Sequence, residues 1–299
     1  MSIVTYTACP VCDSEKISFF MKAVDYTVSK EEFEIFQCSN CHFKFTQNVP
    51  TQATIGSYYA SEEYISHSDT KEGLTNKLYH MARSYMLDSK KALVEKHHSG
   101  DKILMDIGCG TGYFLDKMKS ANWTTHGLET DPGARKFCKE KFDLVVQDTD
   151  VLFETKAESI SVVTMWHVLE HVHQLKDYIN QIFKILKKDG TFIVAVPNCE
   201  SVDAEKYEAH WAAWDVPRHL YHFTPSSMKL LMENAGFELV AKKLMPFDSF
   251  YVSMLSEKYK NGSGNLISGF ATGLKSYLKA TSDVDRCSSV IYVLRRSSV

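Results

Sequence analysis

Residues 106–112 read Asp-Ile-Gly-Cys-Gly-Thr-Gly. Glycine at every second position lets the backbone turn tightly and approach a ligand where a Cβ would clash. An apolar run, Lys102-Ile103-Leu104-Met105, leads in. A helical pattern from Tyr113 to Met118 leads out. The start of that helix points free N–H groups and a positive dipole end at the same ligand. Position 113 is Tyr, so the G-x-G-x-x-G dinucleotide fingerprint is broken, and no Lys-Ser/Thr follows as in a P-loop. Glu129 lies about 20 residues further on, at the end of the strand-like run 123–129. There a carboxylate can hold both hydroxyls of a ribose.

A second set of reactive residues is Cys9, Cys12, Cys38 and Cys41, two C-x-x-C pairs. Four thiolates suit tetrahedral Zn²⁺, and a closed set of four leaves no catalytic position open. The intervening residues contain the strand-like runs 17–21 and 33–37, as in a zinc ribbon. Redox pairs or disulfides are the rival readings. Two matched pairs outside any βαβ unit favour the metal. Cys109, Cys138, Cys199 and Cys287 are scattered and read as free thiols.

A third set lies in residues 199–224. Trp211, Trp214, Asp215, Arg218, His219 and His222 crowd into twelve positions. Such a mixture of aromatic, acidic, basic and imidazole groups is costly to build into a loop for stability alone. The competing reading is a packed lid whose histidines are satisfied by hydrogen bonds.

These residues need a scaffold, and the intervening pattern supplies one. Strands are expected at 102–105, 123–129, 144–146, 161–166 and 192–196. Helices are expected after Asp131-Pro132, an N-cap followed by proline at the first position, and over 175–186, with a stop at Asp189-Gly190. Strands alternating with helices imply an α/β fold with a doubly wound, mostly parallel sheet. Loops at its carboxyl edge bind ligands. Phe237–Leu244 and Val290–Arg295 are strand-like and fit a closing antiparallel hairpin. The expected domains are a zinc ribbon at 1–50, a helical linker or cap at 51–100, and a Rossmann-like domain at 101–299 with insertions 199–224 and 246–289. In the linker, Tyr58-Tyr59 and Glu62-Glu63-Tyr64 precede one or two amphipathic helices over 74–95.

The phrases Asp-Ile-Gly-Cys-Gly-Thr-Gly, His167-Val-Leu-Glu-His171 and Val196-Pro-Asn198, in this order, resemble the class I S-adenosylmethionine (SAM) methyltransferases of the ubiquinone-biosynthesis type. The resemblance covers roughly residues 101–299. It implies that Asp106, Gly108 and Gly110, with Cys109 and Gly112 in the same turn, lie along the amino-acid end of SAM. By the same resemblance Glu129 and Thr130 meet the ribose, Asp148 and Thr149 the adenine, and His167 the methyl-transfer region. Helices such as 74–95 cover the cofactor in this family, so Arg83 is a candidate to reach it. Thr224-Pro225 matches the family's helix start after His222.

Methyl transfer from a sulfonium needs alignment above all. A hydroxyl acceptor also needs a base, and His167, His222, His219, Glu170 and Asp215 are candidates, the imidazoles His167 and His222 first. Trp166-His167 after the fourth strand is neither the Asn/Asp-Pro-Pro-Tyr of amino-methylating DNA enzymes nor a Pro-Cys nucleophile. A small-molecule acceptor is therefore expected. A four-cysteine module ahead of such a domain also resembles bacterial sugar methyltransferases, which implies a nucleotide-linked sugar or a surface-polysaccharide precursor. The alternatives are a ribosomal-RNA methyltransferase using the ribbon for RNA contact, and a non-catalytic SAM-binding scaffold.

Composition sets limits on partners. The chain has 299 residues, 44% of them hydrophobic, and a formal charge of −3. That near balance gives no general attraction to nucleic acid or to an anionic membrane. Residues 1–50 carry six acidic and four basic side chains, whereas a nucleic-acid module needs a basic face. No apolar run approaches the ~18 residues of a membrane span, and the first residues lack the pattern of a secretory signal. A cytoplasmic enzyme is expected, and the 246–289 insertion is a second lid or the contact of a homo-oligomer.

Overall fold

The computed structural model describes residues 2–60, 74–262 and 264–297. Glu62, Glu63 and Tyr64 lie outside them. The strands are β1 (Ile3–Val4), β2 (Ile17–Val24), β3 (Glu32–Cys38), β4 (Lys44–Thr46), β5 (Val49–Pro50), β6 (Ile103–Ile107), β7 (Thr124–Leu128), β8 (Val146–Gln147), β9 (Ile160–Trp166), β10 (Leu186–Pro197), β11 (Tyr221–His222), β12 (Phe237–Leu244) and β13 (Ser289–Arg296). The α-helices are α1 (Leu74–His97), α2 (Tyr113–Ser120), α3 (Pro132–Phe142), α4 (Leu175–Ile185), α5 (Val202–Tyr207), α6 (Pro225–Asn234), α7 (Asp248–Asn261) and α8 (Leu266–Ser282).

Seven strands form the main sheet in the order β12-β13-β10-β9-β6-β7-β8. The strands from β10 to β8 run parallel, and β13 lies antiparallel between β10 and β12. The expected doubly wound sheet and C-terminal hairpin are both present. The chain steps from β6 outward to β7 and β8, then returns to place β9 on the other side of β6. The β6/β9 boundary is thus the topological switch point, and the loops after these two strands share one carboxyl edge.

Alternation along β6 feeds a core on each face of the sheet. Met105 and Ile107 pack with Val163, Met165, Ile179 and Ile182. Leu104 packs with Val162, Phe114, Leu115 and Val94 of α1. Asp131 caps α3 by accepting from Ala134 N–H, and Thr224 caps α6 in a reciprocal capping box with Ser227. Asp189-Gly190 is no boundary: it falls inside β10, at an irregularity between Leu186 and Thr191.

Strands β2, β3 and β4 do not stand apart. Their sheet runs β11-β4-β3-β2, and its fourth strand comes from the 199–224 insertion. Tyr221 pairs with Phe45 and His222 with Lys44. Cys9, Cys38, Phe43 and Phe45 belong to the same buried cluster as Ile179 and Val194. The boundary expected at residue 50 therefore has a sheet and an apolar core running across it.

The second insertion is a helical hairpin, α7 against α8. Gly269 and Gly273 let the helices touch: a Cβ at either would come within 2.8 or 2.7 Å of Met254 Cα or Phe250 Cα. Among the described residues no helix is long and apolar enough to cross a membrane.

Candidate cofactor and acceptor site

The glycine turn after β6 is built for close packing on one side and openness on the other. Gly108, Gly110 and Gly112 have φ of 69°, 53° and 79°, the left-handed region that glycine enters without steric cost. A Cβ on Gly108 would meet Val168 at 2.4 Å, and one on Gly112 would meet Cys138 at 2.7 Å. A Cβ on Gly110 would meet nothing within 4 Å. Gly110 is therefore the position open to a ligand, while its neighbours lock the turn onto β9 and α3.

The acidic residues frame this opening. Glu129 accepts the Gly110 N–H at 2.8 Å through one oxygen, and the Asp131 N–H at 3.0 Å and the Thr130 hydroxyl at 3.2 Å through the other. Arg135 ties the Glu129 and Thr130 carbonyls to the Asp148 carboxylate at 2.6, 2.9 and 2.8 Å. Thr149 is buried next to Asp148. Asp106 is buried and accepts from the Thr164 hydroxyl at 2.6 Å. Burial pushes its carboxyl up to about 7, against the pull of Thr164 and Lys90. Cys109, within the turn, and Cys138, which donates to the Gly110 carbonyl at 3.3 Å, are free thiols.

Lys90 escaped the sequence reading. It extends from α1 over the Trp166 ring, 4.4 Å from the centroid, and burial lowers its pKa against the raising influence of Asp106 and Asp248. Arg83, one of the expected contacts, stacks on Tyr113 at 4.4 Å, immediately after the glycine turn.

His167 directly follows β9 and has φ of 57°, a strained value for a non-glycine residue. Its Nδ1 lies 3.3 Å from Glu170 Oε1 and its Nε2 2.9 Å from Asp248 Oδ2. Burial alone would lower its pKa, but Asp248 and then Glu170 outweigh burial and raise it to about 10. His167 is thus an imidazolium with both nitrogens engaged. This corrects the expectation of a neutral imidazole poised to accept a proton. Asp248, the first residue of α7, is the acidic group sequence reasoning missed. Its only local signal is its place at a helix start, and Phe247 before it has φ of 73°.

The 199–224 cluster is largely a joint between lid and ribbon. Arg218 is fully buried. It clasps Asp215 through Nε at 3.0 Å and Nη2 at 2.7 Å, reaches Asp25 at 2.9 Å, and donates to the Tyr58 carbonyl at 2.7 Å. Four of the five Arg218 N–H donors are engaged internally, and Asp215 is engaged by Arg218. Trp211 and Trp214 stack edge to face at 5.2 Å. Their indole N–H groups bond Asp203 at 2.8 Å and the Glu208 carbonyl at 2.7 Å.

His222 is 3% exposed, 4.8 Å from the Trp214 ring and 3.0 Å from the Thr46 hydroxyl. Burial, then His219 and Lys44, hold it neutral, well below its ordinary value. It is buried in the joint among the described residues. His219 donates from Nδ1 to the Ala213 carbonyl at 2.8 Å. It too is buried.

The four N-terminal cysteines converge as expected. Cys9 and Cys41 sulfurs are 3.5 Å apart, Cys12 and Cys38 3.6 Å, and one ligand atom from each of the four lies within 4.8 Å of the others.

Comparison with known proteins gives a family match and several relatives. Residues 78–242, more than half the chain, match the family described as "Methyltransferase domain". A Mycolicibacterium smegmatis protein named "Probable S-adenosylmethionine-dependent methyltransferase" is 24% identical over 179 residues, 57% of this chain and 63% of that protein. A Leptospira interrogans demethylmenaquinone methyltransferase is 25% identical over 54% of this chain and 64% of its own length. The Schizosaccharomyces pombe ubiquinone biosynthesis O-methyltransferase is 27% identical over 40% of this chain and 47% of its own. The chain thus spans less than two thirds of each of these three relatives. Among solved structures, a chain of the complex between the Haloferax volcanii Trm112 methyltransferase activator and a methyltransferase aligns over 73% of this chain and 94% of its own. Its TM-score is 0.52 at 14% identity, which is a likeness of fold.

Proposed function

The chain belongs to the methyltransferase domain family, and on that premise we propose that it transfers the SAM methyl group to a small polar acceptor beside Asp248 and His167. The observation that carries this is the pairing of an open Gly110 face, ringed by Glu129 and Asp148, with an Asp248–His167 ion pair after the adjacent strand. In the transfer, the acceptor oxygen takes the methyl carbon. The C–S bonding pair stays on sulfur, which leaves as S-adenosylhomocysteine. The hydroxyl proton passes to the Asp248 carboxylate, which His167 holds in place and balances in charge. A nucleotide-linked sugar suits a site lined by charged hydrogen-bonding groups and fits the resemblance to sugar methyltransferases with a four-cysteine module. An RNA acceptor is disfavoured by the acidic ribbon, whose few lysines include Lys22, paired with Glu32 at 3.0 Å.

SAM binding tests the cofactor half of this reading. Micromolar affinity, worth roughly 8 kcal/mol, is expected by calorimetric titration. Gly110→Val should abolish it, because the side chain enters the open face and strains a positive φ. Glu129→Ala should weaken it through the ribose. Unchanged affinity in both variants would remove the assignment. Conversion of SAM to S-adenosylhomocysteine across a panel of nucleotide-linked sugars tests the acceptor half, and turnover on RNA alone would overturn it.

Cys9, Cys12, Cys38 and Cys41 hold one structural zinc ion in this reading. A tetrahedron with Zn–S bonds of ~2.3 Å has edges of about 3.8 Å, close to the 3.5 and 3.6 Å sulfur spacings. Refilling the chelator-treated protein with Co²⁺ should give thiolate charge-transfer absorbance, which Cys38→Ser should abolish. Chelation should loosen β11 and the lid along with residues 1–50, because they share a sheet. A stripped protein that takes up Co²⁺ without that absorbance would rule the cluster out as a metal site.

A further inference from the structure

Beneath the lid, apart from the cysteine cluster, Glu170, His171 and His219 each bring one ligand atom within 4.8 Å of the other two. Glu170 and His171 belong to the short 3₁₀ turn after β9, and His219 comes from the lid. The backbone fixes the tautomer of both imidazoles. His219 Nδ1 lies 2.8 Å from the Ala213 carbonyl, and His171 Nδ1 lies 3.0 Å from the Arg218 carbonyl, with the Tyr59 hydroxyl also at 3.0 Å. A carbonyl oxygen can only accept, so each Nδ1 carries the hydrogen. The lone pair of each ring is therefore on Nε2. The rings meet edge to face at 4.6 Å.

Glu170 is fully buried. One of its oxygens faces His167, and the other, Oε2, has no hydrogen-bond partner among the described residues. A buried carboxylate oxygen left unpaired is unusual and calls for an explanation. Two imidazoles held by Nδ1–H to carbonyl bonds are the arrangement that metal-ligating histidines adopt, because the outer bond orients the ring and raises its basicity.

We propose that Glu170, His171 and His219 bind a divalent transition ion of the zinc class. Two neutral imidazoles and a carboxylate are a common donor set for Zn²⁺, and three protein ligands leave a fourth position for water. The ion pairs the orphaned Glu170 oxygen and both lone pairs at once. Bonds of about 2.0–2.2 Å require the three atoms to draw closer than their present limit of 4.8 Å, which side-chain rotation supplies. The ion pins the lid to the β9 turn and, through Glu170, is connected to His167 at the cofactor edge.

Cobalt titration of the full-length, chelator-treated protein separates this site from the cysteine cluster. Two equivalents are expected: one with thiolate charge-transfer absorbance, one with ligand-field bands alone. Glu170→Gln and His219→Ala should each lose the second equivalent and keep the first, and the retained thiolate band shows that the ribbon is still folded. Cys38→Ser should do the reverse. A parent protein that binds a single equivalent, wholly thiolate-ligated, overturns the proposal without recourse to any variant. So does a Glu170→Gln variant that still takes up two.

Discussion

Asp248→Asn should lower methyl transfer by about 10²–10⁴ while leaving SAM affinity nearly unchanged. The substitution keeps the shape of the side chain and removes its ability to take a proton. It also removes the charge that holds His167 protonated through the 2.9 Å contact. His167→Asn should cost activity too, though less if the carboxylate is the base and the imidazolium only steadies it. The His167 titration, followed by NMR, gives a second readout. Its folded pKa of about 10 lies above the ordinary value of 6.5. The stability it contributes is therefore complete below pH 6.5 and is lost as pH rises through about 10. In Asp248→Asn that pKa should fall toward its ordinary range. Unaltered turnover in Asp248→Asn would return the base to another group. An unaltered His167 titration would mean that the ion pair does not form in solution.

The parts of this protein that could be read from the sequence are the local ones. A left-handed φ at Gly108, Gly110 and Gly112 follows from residue type and spacing alone. Glu129 at the end of β7 follows from a short periodic run, and the capping of α3 and α6 from two dipeptides. The proposed acceptor site is non-local. Asp248 meets His167 across 81 residues of chain, and no periodicity announces such a pairing. Residue type singles out His167 as a candidate, but its charge depends on two carboxylates whose positions only the fold fixes. The cluster at 211–222 was legible as unusual and misleading in its purpose. Tyr221-His222 is too short to read as a strand, yet those two residues complete the ribbon sheet. The partner of Arg218 lies 193 residues away, at Asp25.

That long-range ion pair carries the largest expected stability effect. Arg218 and Asp25 are 1% and 0% exposed at the side chain, and Asp215 supplies the second carboxylate. Asp25 also accepts the backbone N–H groups of Thr27, Val28 and Ser29. Truncating the arginine leaves the fully buried Asp25 carboxylate, and Asp215 at the edge of the joint, without their counter-charge. Arg218→Ala should therefore cost roughly 3–5 kcal/mol of unfolding free energy, read from denaturant titration through Trp211 and Trp214, which pack in the same joint. Acid should reproduce part of the loss in the parent. Burial favours the protonated Asp25, but Arg218 and the backbone donors overcome it and depress the pKa from 3.8 to about 2. A depressed carboxylate pKa contributes stability above the unfolded value and loses it as pH falls through the folded one, here between about 4 and 2, for roughly 2 kcal/mol. Asp25→Asn should flatten that acid limb. Combining Arg218→Met with Asp25→Asn should recover some of the stability lost in Arg218→Ala, because it removes charge from both sides of the joint. An Arg218→Ala protein within ~0.5 kcal/mol of the parent would mean that water reaches the joint and screens its charges, so that the ribbon is held to the lid by β11 and the apolar core alone.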